Sequence, residues 1–360
     1  MDESRSMLEL EMLPAREGDC LLLTYGHPDS PRRILIDGGR ASTYADIKNR
    51  LGGLPERQRN FELLVVTHVD RDHIEGVLAM LEDPARSIRF HDLWFNAYHH
   101  LLNDSVESFG PRQGEKLTTA ILEQRLPWNL AFKGKSAETR EDNLPTVELD
   151  GGLKLTILSP SREKLEAMVT KWEADCAEAG LIPGSTPARS DLPDELEAFG
   201  RFQIDAAADE PFQKDTSKPN GTSIALLAEY EDKRLLLAGD AHADLLTESL
   251  RPLAQKTGGK LSLDAFKLSH HGSAANTSRD LLDLISCRTY LISTNGSIYR
   301  HPDKAALARV VKSGNVEKEL IFNYETSGTR FWDNPVWKNR HGYFTRYPVE
   351  GENGTIKLSF

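Results

Sequence analysis

One order of elements occurs twice in this chain, and it limits the folds open to it more than any other feature. DCLLLTYG and RRILIDGG are apolar runs of strand length joined by HPDSP, whose proline and aspartate suit a reversal. A helix follows over about Ser42 to Leu51, and the strand FELLVVT then runs into THVDRDH. Much later TSIALLAEY and KRLLLAGDA repeat the pattern around the turn EDK. The helix ADLLTESLRPL follows, and the strand LDAFKLS ends on His270-His271-Gly272-Ser273. Each half reads strand, turn, strand ending in Asp-Gly or Gly-Asp, helix, then a strand delivering histidines. The repeat predicts an α/β (α+β) chain of four layers, αββα: two sheets face to face, helices outside, and matching strand ends converging on one edge.

Between the halves the pattern loosens. RFHDLWFNAYHH and LKLTILSP read as further strands, and REKLEAMVTKWEADCAEAG as a helix with apolar spacing near 3.6 and Gly180 just past its end. From Ile182 to Asn220 the chain is rich in Pro, Asp, Glu, Ser and Ala. It reads as an exposed insertion or lid with a short helix around Leu192 to Phe199. The expectation is one domain over residues 1–360 with a middle insertion over about 160–219, because both halves are needed to complete one core.

Composition narrows the class. Of 360 residues, 39% are hydrophobic and 28% charged, as in an ordinary globular protein. No apolar run approaches the roughly 20 residues that span a bilayer. The start, MDESRSMLELEML, lacks the basic-then-apolar pattern of a secretory signal, so no membrane association and a cytoplasmic location are expected. Cys20, Cys176 and Cys287 are too few and scattered for a disulfide framework or a CxxC zinc site, and read as small buried apolar groups. A net charge of -11 argues against nonspecific polyanion binding, unless bound metals or a local cationic cleft receive phosphate.

The chemistry is concentrated in T-H-V-D-R-D-H. His68, Asp70, Asp72 and His73 fall where FELLVVT gives way to the helix IEGVLAMLE. A capping aspartate and a surface histidine would explain part of this motif. Four such groups in one short loop repel one another unless a cation lies between them. Asp240 ends its strand at the repeat position of Asp37, and His270-His271 take the place of the first motif.

With these residues in view, the chain resembles the metallo-β-lactamase superfamily. More narrowly, GDC, ILIDGG, THVDRDHIEG, NGTS, LLLAGDA, KLSHHGS and the later RHP resemble the soluble hydrolase domain of ComEC-type DNA-uptake proteins, from about Glu17 to about Phe331 with the insertion outside. The resemblance implies two divalent metal ions, zinc or manganese. His68 and Asp70 would bind one, Asp72 and His73 the other, with Asp240 bridging and His270 completing the set while His271 faces substrate. Asp37 would brace the ligand loop, and Asn220 and Ser223 of N-x-x-S would meet substrate. Asp72 would orient the attacking water, and His301 would serve as acid or phosphate contact.

Two departures from the commonest superfamily pattern matter. Asp70 stands where histidine is usual, and no histidine lies between His100 and His242. Carboxylate in place of imidazole hardens the ligand set and makes manganese credible beside zinc. The implied activity is a nuclease or phosphodiesterase acting on nucleic acid or another phosphodiester, with protein partners if it works as an effector. The alternatives are a small-molecule phosphodiesterase or lactonase, and a non-catalytic scaffold of the same fold. His99-His100 reads as a partly exposed aromatic strand end, and Trp332 and Trp337 as core or lid packing.

Overall fold

The computed structural model describes residues 6–102, 112–140, 143–178, 202–352 and 354–360. One sheet is built from β1 (Met7–Met12), β2 (Leu21–Gly26), β3 (Arg32–Ile36), β4 (Asn60–Val65) and β5 (Arg89–Trp94). The other contains β6 (Thr146–Glu148), β7 (Lys154–Ser159), β8 (Ala225–Tyr230), β9 (Lys233–Leu237), β10 (Leu261–Lys267), β11 (Ile285–Ile292), β12 (Lys318–Phe322) and β13 (Tyr343–Arg346). A last strand, β14 (Ile356–Ser359), returns to the first sheet and pairs antiparallel with β1. The strand orders are β14-β1-β2-β3-β4-β5 and β13-β12-β11-β10-β9-β8-β7-β6.

The sequence repeat is a repeat of topology. β2 and β3 pair antiparallel and β4 joins β3 in parallel; β8 and β9 pair antiparallel and β10 joins β9 in parallel. Strand side chains alternate between faces, and here both faces are buried, which is why the strands read as continuous apolar runs. In β2, Leu21 and Leu23 point between the sheets while Leu22 points to the outer helices. In β9, Leu235 and Leu237 point between the sheets and Leu236 points outward. Three apolar layers result, one between the sheets and one under each helical cover, which gives the four-layer αββα sandwich. Each fully buried leucine or isoleucine contributes roughly 1.5–3 kcal/mol, so stability lies in these layers rather than in the loops.

The helix over Arg71–Glu82 lays Ile74, Val77, Leu78 and Leu81 on the first sheet, at the spacing of one helical face. Asp70 is its N-cap residue in extended backbone, so the helix starts inside the T-H-V-D-R-D-H motif and fixes its last residues.

Several details differ from the sequence reading. MLELEM, not recognised as a strand, is β1, and its alternation is half hidden by the glutamates on its edge. RFHDLWFNAYHH is not one strand: β5 stops at Trp94 and Tyr98–Leu102 is helical. At the ends of the insertion, the helix Arg162–Glu178 buries Leu165, Met168 and Trp172 in the first helical layer, and Ile204–Ala208 packs into the second. The short helix expected over Leu192 to Phe199, and with it the lid, lies outside the described residues. Cys20 and Cys287 are buried and free, as read; the side chain of Cys176 lies outside the described residues. Among the described residues no helix is long and apolar enough to cross a membrane.

Candidate metal centre

Four strand ends build the site. Asp37 follows β3, the loop from His68 to Asp72 follows β4, Asp240 follows β9, and His270-His271 follow β10. The backbone is bent sharply at two of these exits: Asp37 has φ 59°, and His270 and His271 have φ 47° and 56°. Non-glycine residues in the left-handed region are uncommon and persist where surrounding structure holds them, often at functional sites. Gly239, at φ 51°, lets the β9 exit pass close by: a Cβ there would sit 2.5 Å from Ser223 Oγ.

The imidazoles are oriented by what stands behind them. His73 Nδ1 lies 2.7 Å from Asp37 Oδ2, and His271 Nδ1 lies 2.9 Å from the Ser293 carbonyl. Both partners are acceptors, so both Nδ1 atoms carry the proton. His270 Nδ1 likewise donates to Asn276 Oδ1 at 3.0 Å. Thr67 donates its hydroxyl to Asp37 Oδ2 at 2.7 Å, which leaves its oxygen to accept from His68 Nδ1 at 3.0 Å. Each ring therefore turns its Nε2 edge away from these partners.

All four of these edges face one carboxylate oxygen. Asp240 Oδ2 lies 3.3 Å from His73 Nε2, 3.5 Å from His271, 3.8 Å from His68 and 3.9 Å from His270. Asp72 Oδ2 is 3.6 Å from His271 Nε2, and Asp70 Oδ2 is 3.6 Å from His68 Nε2. The Nε2 atoms of His68, His73 and His271 and Oδ1 of Asp240 are buried with no hydrogen-bond partner. Buried polar atoms left unpartnered beside a carboxylate are costly unless something positive lies among them.

The electrostatics agree. Burial alone would raise the pKa of Asp240, but His73, His271 and His270 hold it well below the usual carboxylate range. Burial would likewise raise Asp72, and the imidazoles of His271 and His73 lower it instead. Burial would lower His73 and His271, yet Asp240, supported by Asp37 and Asp19 respectively, lifts both well above the ordinary imidazole value. The cluster demands positive charge at its middle. A divalent cation satisfies imidazole Nε2 and carboxylate oxygen together, so the residues present fit a metal centre.

The sequence reading needs correction at three positions. The deeper histidine of the pair, expected to be His270, is His271: its side chain is 1% exposed against 23% for His270, though the Nε2 atoms of both face Asp240. The reason is the left-handed turn after β10, which carries the second residue of the pair inward rather than the one nearer the strand. Ser223 does not meet substrate; it is fully buried, and its Oγ accepts from the Asp240 amide at 3.0 Å. Asn220, expected beside it at the substrate, is also buried: it donates to Asp215 Oδ2 at 2.7 Å and stands behind His270, 3.3 Å from Nδ1.

Other expectations find a place. Asp37 accepts from the Thr67 amide at 2.8 Å as well as from Thr67 Oγ1 and His73, and so ties the motif loop to β3. The ring of His301 lies 5.1 Å from that of His270, at the outer rim. His99 and His100 pack on Trp128, Trp332 is core, and Trp337 packs on Phe202 and Phe331.

Asp19 was missed as a site residue. It is fully buried, pairs with Lys267, and places Oδ1 3.5 Å from His271 Nδ1. It groups geometrically with His73, Asp240 and His271. Yet it lies on the Nδ1 edge of His271, away from the edge that meets Asp240, so its role is to back that imidazole. The one signal in the sequence was GDC: a Cβ on Gly18 would fall 1.7 Å from the Asp72 carbonyl oxygen, so this glycine lets Asp19 approach.

No family model matches the chain, and no curated protein sequence matches it. Among solved structures it is similar to a provisionally assigned metal-dependent hydrolase from Parabacteroides distasonis ATCC 8503, at 13% identity over 83% of this chain and 89% of that one, TM-score 0.36. It is also similar to the metallo-β-lactamase-fold protein YhfI from Bacillus subtilis, at 9% identity over 99% of this chain and 100% of that one, TM-score 0.41. A third is CmlA, a diiron β-hydroxylase from Streptomyces venezuelae, at 12% identity over 99% of this chain but 54% of that one, TM-score 0.38. These likenesses concern the path of the chain, and the chemistry of the site rests on its own residues.

Proposed function

We propose that this chain is a metal-dependent hydrolase that cleaves phosphodiesters, with nucleic acid as the first candidate substrate and zinc or manganese as the metal. The observation that carries the reading is the convergence of four imidazole Nε2 atoms on Asp240 Oδ2 within 3.3–3.9 Å, three of them buried and unpartnered. Two cations are proposed because Asp70 pairs with His68 and Asp72 with His271, both histidines facing Asp240, while His73 lies between them, its ring 4.3 Å from that of His68 and 5.2 Å from that of His271. His270, with Nε2 3.9 Å from Asp240 Oδ2, is the outer donor of its pair.

When bound, divalent cations supply Lewis acidity, which acidifies water and neutralises charge developing on a phosphoryl oxygen. The protein's own groups do the rest. Asp72, with one oxygen against His271, is placed to orient an attacking water and accept its proton. His301, one ring beyond His270, is placed to protonate the departing oxygen. Asp37, Asp19, Asn276 and Ser293 hold the imidazoles in one tautomer, so no reorientation is needed when substrate arrives.

A second reading, a small-molecule phosphodiesterase or lactonase, is favoured by the charge distribution. The chain carries -11, and basic groups near the site are tied to acids: Arg40 to Glu17 and Glu75, and Arg71 to Glu75. The test is hydrolysis of single-stranded DNA, double-stranded DNA, RNA and bis(p-nitrophenyl) phosphate by purified protein with manganese or zinc. Turnover of the nitrophenyl ester without cleavage of any polymer hands the case to the second reading. No turnover of any phosphodiester ends the first.

A further inference from the structure

The loop between β11 and the helix Lys304–Lys312 leaves two large side chains in solvent at the rim of the candidate centre: Ile298, 53% exposed, and Tyr299, 50% exposed. An exposed apolar residue alone asks for no explanation. Position sets this pair apart. The Tyr299 ring lies 6.1 Å from that of His301 with only 29° between their planes, and His301 leads at 5.1 Å to His270, whose Nε2 faces Asp240. The phenol is near enough to Asp72 and Asp70 on one side and to Arg40 and Glu17 on another to feel their charges. The exposed ring therefore stands two rings out from Asp240, beside the candidate centre.

The loop that carries it is fastened at both ends. The Asn295 amide donates to the Arg16 carbonyl at 2.8 Å, the Gly296 amide to Thr294 Oγ1 at 3.0 Å, and the Ser297 amide to Asn295 Oδ1 at 3.0 Å. Ser297 Oγ donates to Glu17 Oε2 at 3.3 Å. Beyond the loop, the Asp303 amide donates to the Gly272 carbonyl at 3.0 Å, next to the His270-His271 turn. Tyr299 is thus presented in solvent from a braced loop, and it loses little freedom on meeting a ligand. Leaving an aromatic ring uncovered while fixing the backbone beneath it suits a surface that a flat ligand completes.

We infer that Tyr299 is the stacking platform for the nucleobase adjoining the scissile phosphate, with Ile298 extending the contact. This rests on the phosphodiester reading above and narrows it to substrates carrying a planar aromatic group. An aromatic face attracts any base in this way, without sequence preference. An acyl chain, by contrast, would use the apolar surface and be indifferent to whether the side chain is aromatic.

The test uses the metal-loaded protein and two esters with the same leaving group, thymidine 5′-(p-nitrophenyl phosphate) and methyl p-nitrophenyl phosphate. Tyr299→Ala should raise KM for the nucleoside ester about tenfold with kcat within about twofold, and leave the methyl ester unchanged. Tyr299→Phe should behave as wild type, and Tyr299→Leu as the alanine variant. Calorimetric binding of thymidine 5′-monophosphate and of methyl phosphate gives a readout independent of turnover: Tyr299→Ala should weaken the first about tenfold and leave the second unchanged. If the wild type turns over neither ester, the phosphodiester reading fails, while nucleotide binding still reports on the platform. Equal losses on nucleoside and methyl ligands, unchanged nucleotide binding in Tyr299→Ala, or a leucine variant as good as tyrosine would each overturn the inference.

Discussion

Lys267 and Asp19, 248 residues apart in sequence, form an ion pair from which solvent is excluded at both ends. The pair joins the two halves of the sandwich directly behind His271. Burial alone would raise the pKa of Asp19, but the ammonium of Lys267, with His271 adding to it, depresses it to about 2. Removing one partner from a buried pair leaves an uncompensated charge, a loss of about 3–5 kcal/mol, whereas replacing both with apolar groups is often close to neutral. Lys267→Met should therefore lower unfolding free energy by about that much in urea titrations, and Asp19→Leu combined with Lys267→Met should recover at least half. A single variant within about 1 kcal/mol of wild type would show that the pair is not what holds this seam.

Among the described residues Asp240 is the one group that meets all four imidazole edges, so its charge should matter more than its shape. Asp240→Asn keeps the volume and removes the charge. Bound metal per chain, measured by atomic emission after dialysis, should fall by at least half, and phosphodiester turnover by about a hundredfold or more. Retention of full metal content would remove Asp240 from the centre.

Asp37 touches no proposed substrate position, yet it fixes the tautomer of His73 and the hydroxyl of Thr67. Supporting groups of this kind change metal affinity by about 10–100-fold when lost. Asp37→Asn should weaken metal binding by that factor in competition with a chelator, while excess metal restores most of the activity. Loss of activity that saturating metal cannot restore would point to a collapsed loop instead.

Glu115 provides a pH signature away from the centre. Burial raises its carboxyl from the ordinary 4.5 to about 7, and its Oε1 has no hydrogen-bond partner. A folded-state pKa above the unfolded one means that the native protein holds the extra proton between the two values. The associated stability is complete below about pH 4.5 and is lost as pH rises through about 7. Glu115→Gln should raise the melting temperature at pH 8 and leave it little changed at pH 5. An equal shift at both pH values would mean that the amide acts through packing rather than through the proton.

The sequence by itself determined the sandwich and marked the place of the candidate centre. Apolar runs flanked by turn residues specify strands through local backbone preference, and their repeated order leaves few ways to bury both faces of each sheet. The crowding of His68, Asp70, Asp72 and His73 at one strand end pointed to that place from the sequence alone. What only the tertiary structure decided was direction. Whether His270 or His271 turns inward depends on two left-handed residues, which histidine does not announce. Ser223 and Asn220 stand buried behind the imidazoles, held by the Asp240 amide and by Asp215. Asp19 reaches His271 from the opposite half of the chain. Strand formation is governed by neighbours in sequence, whereas the aim of a side chain is governed by partners that become neighbours only after the two halves close.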